Sequence, residues 1–149
     1  MLNRNGKAYL YPAMAATTAD PAIKMMDTTE GETATQFSAS AINKIFVRGG
    51  AGNTPVTVDD RNLDSPVLTL TEIDNTDTQK GTPRSYEDNF ILTVTTTYQN
   101  NTGEDVIIRE LGLFVFETYS SKEHMIARIL IDPVTVRAGR SYAFTMTIG

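Results

Sequence analysis

The sequence predicts an all-β protein built as an antiparallel β-sandwich of six to eight strands, of the jelly-roll or immunoglobulin-like type. Several short segments alternate apolar and polar residues with the period-two pattern of a half-buried strand. Threonine is abundant along the whole chain, which favours strands over helices. Polar turns containing Gly, Pro, Asn or Asp separate these segments at short intervals. Such spacing is typical of two antiparallel sheets around one core.

The clearest pattern runs from Phe90 to Phe116. Alternate positions from 90 to 98 hold Phe, Leu, Val, Thr and Tyr, while Thr fills most of the positions between them. Asn100–Gly103 is rich in residues that tolerate positive φ, so we predict a tight turn and a hairpin with the strand that follows. Gly112 interrupts the alternation of that second strand. We expect a bend there and a change in the face that is buried.

Residues 1–35 differ from the sandwich domain predicted for residues 36–149. They form an extended N-terminal arm in our interpretation, either frayed or ordered on a neighbouring subunit. The arm carries large apolar side chains that are costly to leave in water. Together with one aromatic residue of a later loop, they are the predicted interface residues: Tyr9, Tyr11, Ile23, Met25, Met26 and Tyr86.

The segment 36–48 alternates as a strand with a break near Asn43-Lys44, after which Ile45 and Val47 share a face opposite Phe46. Gly49–Asn53 follows as a glycine-rich loop. It lacks the spacing and the Lys-Ser/Thr pair of a phosphate-binding loop, so a flexible turn is the better interpretation.

Four further predictions complete the domain. Pro66–Ile73 alternates as a strand, and Asp74–Asp88 is a long polar loop. His124–Ile131 is apolar on both faces, which predicts a central strand that ends at Asp132-Pro133. Tyr142–Ile148 is the last strand.

Composition limits the function. The chain has 149 residues with a formal net charge of −5, which argues against a general nucleic-acid binder. It has no cysteine, and therefore neither disulfides nor a thiolate metal site. The first residues do not resemble a signal peptide, and no apolar run is long enough to cross a bilayer. We expect a soluble protein that assembles in the cytoplasm.

The sequence offers no convincing reaction centre, metal site or cofactor site. The single histidine, His124, begins a strand, and we expect it at the surface rather than in a triad with Ser120 or Ser121. Glu110 with Glu104 or Glu117 could be imagined as a glycosidase pair. Because Glu110 stands among apolar strand residues, we instead expect a structural partner for it, either Arg109 or Arg128.

Residues 47–149 contain an ordered set of short motifs. The pattern has the form "G-x-G-x-T-x-P … N-L-x-S-P", then "N-x-T-G … I-x-E-x-G-L", then "A-R … P-V-T-V-x-x-G … T-x-T-I". The residues that carry it are Gly50, Gly52, Thr54, Pro55, Asn62, Leu63, Ser65, Pro66, Asn101, Gly103, Glu110, Gly112, Leu113, Ala127, Arg128, Pro133, Val134, Thr135, Val136 and Gly139.

With this pattern, the chain resembles a family of small structural proteins of tailed bacteriophages and prophages. The resemblance implies a non-enzymatic β-sandwich protein of the virion, assembled in the host cytoplasm. A capsid decoration or cement protein is the first expectation, acting as a homo-oligomer (a trimer is one option) on the major capsid protein or other virion proteins. A tail, baseplate or neck component is the alternative within that class. A carbohydrate-binding or receptor-binding sandwich is a second class, and an enzyme a third. Neither nucleic acid nor membrane is an expected partner.

Overall fold

The computed structural model describes residues 25–26, 32–33, 42–80, 91–117 and 121–148, and these residues form strands, turns and bends without a helix. The described strands are β1 (Met25–Met26), β2 (Glu32–Thr33), β3 (Ile42–Gly50), β4 (Thr71–Lys80), β5 (Ile91–Gln99), β6 (Val106–Glu117), β7 (Lys122–Val136) and β8 (Ser141–Ile148). The predicted all-β class is therefore confirmed.

Six of the strands form two antiparallel three-stranded sheets, with the orders β3–β6–β7 and β4–β5–β8. One core cluster joins both sheets, with Val47 and Leu113 from the first and Val94 and Phe144 from the second. The sheets therefore pack face to face, as in a β-sandwich. The short strands β1 and β2 pair with each other only, in the described part of the chain.

The two strands of Phe90–Phe116 exist, but they do not form the predicted hairpin. β5 has β4 on one side and β8 on the other, so it has no free edge for β6, which lies in the other sheet. The turn after β5 carries the chain across, with Gly103 at a φ of 81°. Asn100 is fully buried there, and its amide donates hydrogen bonds of 2.8 Å to the carbonyls of Glu104 and Val136.

Strand β4 contradicts the polar loop predicted for Asp74–Asp88. Residues 74–80 pair with residues 91–97 of β5, with Thr76 opposite Thr95 and Thr78 opposite Thr93. These polar side chains alternate poorly, but an exposed strand at the end of a sheet tolerates them. The predicted strand Pro66–Ile73 is correspondingly wrong up to residue 70, except for an isolated bridge from Pro66 to Gly50. Residues 81–90 lie outside the described residues.

Strand β7 also differs from its prediction. It continues through Asp132-Pro133 to Val136. The register shift between Ile108 and Glu110 of β6 leaves more residues on β7 than on β6 at this point, and the resulting bulge in β7 accommodates the proline. In the described sheet the middle strand is β6 rather than β7. His124, predicted at the surface, is fully buried because it pairs with Val115, which lies in the core.

The expected change of buried face in β6 is confirmed. Ile108, Leu111 and Leu113 all belong to the core, and the step of three residues from 108 to 111 breaks the alternation. Glu110 pairs with Leu130 on one side and with Gly50 on the other. The switch places Glu110 on the face of the sheet that points away from the inter-sheet core.

The edge of β3 that faces away from β6 is covered by hydrogen bonds. The Tyr98 hydroxyl donates to the Val47 carbonyl at 2.7 Å, and the Val47 N–H donates to the Thr96 hydroxyl at 2.8 Å. The Asn75 amide donates to the Ile45 carbonyl at 2.8 Å. Beyond these side chains, Val67 and Ala51 continue the pairing through backbone bonds to Gly49 and Ser65. This edge is therefore closed to another strand.

Candidate interaction surface

Residues 51–66 form a segment that covers the outer face of the β3–β6–β7 sheet, and we call it the covering loop. Leu63 anchors it in a small second core with Phe46, Phe114 and Met125. Gly52 and Leu63 are buried although the loop has no regular secondary structure. Such a loop needs partners for its backbone groups, and Glu110 supplies several of them.

The carboxylate of Glu110 is fully buried and accepts four hydrogen bonds. Oε1 accepts the N–H groups of Gly52 at 3.2 Å and Ser65 at 2.9 Å. Oε2 accepts the Asp64 N–H at 3.2 Å and Nε of Arg128 at 2.7 Å. The covering loop therefore wraps a carboxylate of its own chain, and the predicted structural partner Arg128 is confirmed.

Arg128 uses the rest of its guanidinium on the same loop. Nη1 donates to Asp60 Oδ2 at 2.9 Å, and Nη2 donates to both the carbonyl and the hydroxyl of Thr54 at 3.1 Å. Burial alone would lower the pKa of Arg128, but the hydrogen bonds and charges of Asp60 and Glu110 outweigh it and raise the pKa. Arg128 therefore stays charged and holds two parts of the loop to β7.

Asp60 completes this group of charges, which we call the loop latch (Asp60, Glu110 and Arg128). Its carboxylate also accepts hydrogen bonds from the Thr57 N–H at 2.9 Å and the Thr57 hydroxyl at 2.8 Å. Burial would raise the pKa of Asp60, but the bonds from Thr57 and Arg128 outweigh it and lower the pKa. Residues 57–60 make a turn, in which the Asp60 N–H donates a hydrogen bond to the Thr57 carbonyl at 3.4 Å.

Two glycines allow the loop to approach the carboxylate. A Cβ atom on Gly50 would collide with the Glu110 carboxylate. One on Gly52 would lie 2.5 Å from Asp64 Oδ2 and 2.7 Å from Glu110 Oε1. The glycine-rich segment is thus required for close packing, and the flexible-turn interpretation misses this role.

An aromatic cluster lies beside the latch. Phe46 and Phe114 stack with ring centroids 5.5 Å apart, and the Arg48 guanidinium lies 5.1 Å and 5.0 Å from their centroids. Glu123 pairs with both terminal nitrogens of Arg48, at 2.7 Å and 3.0 Å. This arrangement fixes the planar cation over the rings and leaves its charge neutralised.

Both oxygens of Glu110 are occupied by donors, so the imagined pair with Glu104 or Glu117 has no free carboxylate at this position. No group of three or more His, Cys, Asp or Glu in the described residues could hold a metal ion. No helix within the same residues is long and apolar enough to cross a membrane.

The structure describes two of the six sequence-predicted interface residues. Tyr9, Tyr11, Ile23 and Tyr86 lie outside the described residues. Met25 and Met26 form β1, opposite Thr33 and Glu32 of β2. Their role in an interface stays a prediction.

Sequence reasoning missed the exposed apolar residues of the domain itself. Their exposed fractions reach 70% at Leu68 and 55% at Ile73, and 39% at Tyr142 near the start of β8. Leu68 and Ile73 lie in a segment predicted as an alternating strand, and the alternation did not predict that both side chains would be exposed. Tyr142 belongs to a correctly predicted strand, where its period-two position implied burial.

Comparison of the chain with protein-family models, with curated proteins and with solved structures gives no significant match. The resemblance to phage virion proteins therefore stays a prediction, carried by the residues quoted above. Several of those residues do meet in space. Gly50, Gly52 and Arg128 surround the carboxylate of Glu110, although the four residues are spread over three strands and a loop.

Proposed function

We propose that this protein is a non-enzymatic structural component of a tailed-phage virion, namely a capsid decoration or cement protein. It acts as a homo-oligomer that binds the shell through the major capsid protein or another virion protein. The supporting observation is that the buried charged side chains bind other parts of the same chain. The carboxylates and the guanidinium of the loop latch hold the covering loop to the sheet.

This use of charge suits a passive building block. A cement protein must be a rigid unit whose exposed segments bury apolar surface on its neighbours, at about 25 cal/mol per Å² before ordering costs are subtracted. The latch and the closed edge of β3 make the unit rigid, and exposed residues such as Leu68 and Ile73 offer apolar area. Many symmetric copies convert modest contacts into avidity.

The test is to locate and count the protein in virions of a phage that encodes it. Heads and tails are separated after mild disruption, and quantitative mass spectrometry measures the copy number in each fraction. We expect it in the head fraction, at a copy number comparable to that of the major capsid protein. Added to shells that lack it, the protein should raise their melting temperature. A few copies in the tail fraction would refute the decoration role and favour the tail, baseplate or neck alternative.

A further inference from the structure

Strand β8 (Ser141–Ile148) ends its sheet without the protection that the other end strands show. In the described residues, β8 pairs with β5 on one side and with no strand on the other. The edge of β3 is covered by side chains and by the backbone of residues 65–67. β7 carries two register shifts and Pro133, devices that discourage pairing with a further strand.

The remaining end strand, β4, is protected by charge. Glu72, Asp74 and Asp77 stand along it, with a register shift between the first two. β8, by contrast, reads SYAFTMTI: it contains no charged residue and no proline, and it pairs with β5 without any register shift. Long, regular, uncharged end strands with high β-propensity are the usual site of strand addition.

The side chains on the two faces of β8 limit which strand could pair with its outer edge. Phe144 and Met146 are buried in the core, whereas Thr145 and Thr147 are exposed on the outer face. Tyr142 points its ring at Phe144, with centroids 5.0 Å apart, yet 39% of it is exposed. Ile148, at the opposite end of the same face, is half-buried. An added strand that places an apolar residue beside each of them would complete the core.

A second copy of β8 meets this requirement in one register. Residues directly opposite each other in an antiparallel pair lie on the same face, so a symmetric pair must be centred on a residue. Centring on Thr145 places Tyr142 opposite the partner's Ile148, and Phe144 opposite the partner's Met146. The two incompletely buried residues then cover each other in both copies, and the pairing uses residues 142–148.

The outer face supports the same register. Thr76, Thr95 and Thr145 form one row across the sheet, and the hydroxyls of Thr95 and Thr145 are hydrogen-bonded at 2.8 Å. Centring on Thr145 continues this row into the second copy, with Thr145 opposite the partner's Thr145. Cross-strand threonine pairs are favourable, and a chain of net charge −5 meets no like-charge repulsion at this uncharged strand.

We propose that two copies of this chain associate through antiparallel pairing of their β8 strands, centred on Thr145, to form a continuous six-stranded sheet. The inference rests on the homo-oligomer of the proposed function and specifies its contact. The backbone hydrogen bonds of β8 supply affinity, and the Tyr142–Ile148 contacts select the register. The two-fold contact is isologous, so it closes on itself and occupies the β8 edge of both copies, and the charged β4 strands become the two ends of the sheet.

Single cysteines test the register, because the natural chain contains none. In full-length protein, Thr145→Cys places two cysteines opposite each other, about 4.5–5.5 Å apart between Cα atoms, within disulfide range. Thr147→Cys separates them by four residues of strand, roughly 13 Å, which is beyond that range. Thr76→Cys, in the same threonine row at the far end of the sheet, is the matched surface control.

We expect mild oxidation to convert Thr145→Cys to a covalent dimer and to leave the other two variants largely uncrosslinked, with all three melting like the natural protein when reduced. Equal or greater crosslinking of Thr147→Cys or Thr76→Cys would overturn the register. Failure of Thr145→Cys to crosslink would overturn the β8 contact itself. This result would also be obtained if other residues of the same chain covered the outer edge of β8.

Light scattering supplies an independent measurement. Thr145→Lys sets two like charges against each other at the two-fold axis and should raise the dimer dissociation constant several-fold, whereas Thr76→Lys should not. Equal dissociation constants for the two variants would count against the proposal. The location of the natural protein in heads or tails is measured separately from the β8 contact. A negative crosslinking result would therefore not refute the proposed virion role, and a tail location would not refute the β8 contact.

Discussion

The loop latch makes a quantitative prediction for Glu110→Gln, which keeps the shape of the side chain and removes its charge. Each oxygen of Glu110 accepts two donors: Gly52 and Ser65 on Oε1, Asp64 and Arg128 on Oε2. The amide group of glutamine must replace one of these oxygens, so at least two donors lose their acceptor, one of them buried and the other part-buried. At about 1–3 kcal/mol for each, the loss is about 2–6 kcal/mol. Removing one member of a buried ion pair costs about 3–5 kcal/mol, in agreement.

The assay is urea denaturation of Glu110→Gln beside Glu72→Gln. Glu72 also pairs with a cation, Lys44 at 2.5 Å, but the two side chains are 31% and 39% exposed. That change should lower the free energy of unfolding by no more than about 1 kcal/mol. A loss of about 3–5 kcal/mol is a large part of the stability of a single domain, about 5–15 kcal/mol. If Glu110→Gln loses no more than Glu72→Gln, the latch does not hold the loop and our reasoning is wrong.

Three further predictions concern close packing, a buried amide and a buried phenol. Gly52→Ala should lower the free energy of unfolding by about 1–3 kcal/mol in urea, because its Cβ meets Asp64 and Glu110; an unchanged midpoint would contradict that fit. Asn100→Asp removes the amide donor to two carbonyls, so calorimetry should show a melting temperature several degrees lower, whereas the exposed control Asn53→Asp should melt unchanged. Burial raises the pKa of Tyr98 to about 12 from 10.0, so the fold favours the neutral phenol. This shift contributes about 2–3 kcal/mol to the free energy of unfolding, fully present below pH 10 and lost as the pH rises to about 12. Tyr98→Phe should therefore lose less stability between pH 10 and 12 than the natural protein. The same pH dependence of stability in both proteins would refute the prediction.

The sequence predicted strands well where burial is one-sided. The period-two burial of β5 and the opposite faces of Val47 and Phe46 follow directly from alternation. Alternation is a local property, however, and it does not say which strand a given strand pairs with. The turn at Asn100–Gly103 looks like a hairpin turn, yet it crosses between sheets because both sides of β5 are occupied by β4 and β8.

The prediction from sequence also failed for a polar strand. Residues 74–80 of β4 were predicted as part of a loop because the segment is polar, and residues such as Asp74, Asn75 and Asp77 have low β-propensity; pairing with β5 overrides that preference. The candidate site was predictable only in part. A lone carboxylate among apolar strand residues indicated that Glu110 has a partner, whereas its three backbone donors come from a loop that no local pattern connects to β6.

The latch also explains what the resemblance to phage proteins can and cannot predict. Its residues Gly50, Gly52, Glu110 and Arg128 meet at one carboxylate, so a chain that carries the pattern has the means to hold a covering loop on a sheet. That is information about the fold. The exposed Leu68 and Ile73, on which the proposed virion role relies for apolar area, carry no residue of the pattern, whereas β8 carries its last motif, T-x-T-I, at Thr145, Thr147 and Ile148. We therefore expect the pattern to report the latch and strand β8 rather than a place in the virion, so variants at Leu68 and Ile73, rather than at the latch, are the ones that test the proposed contact with the shell.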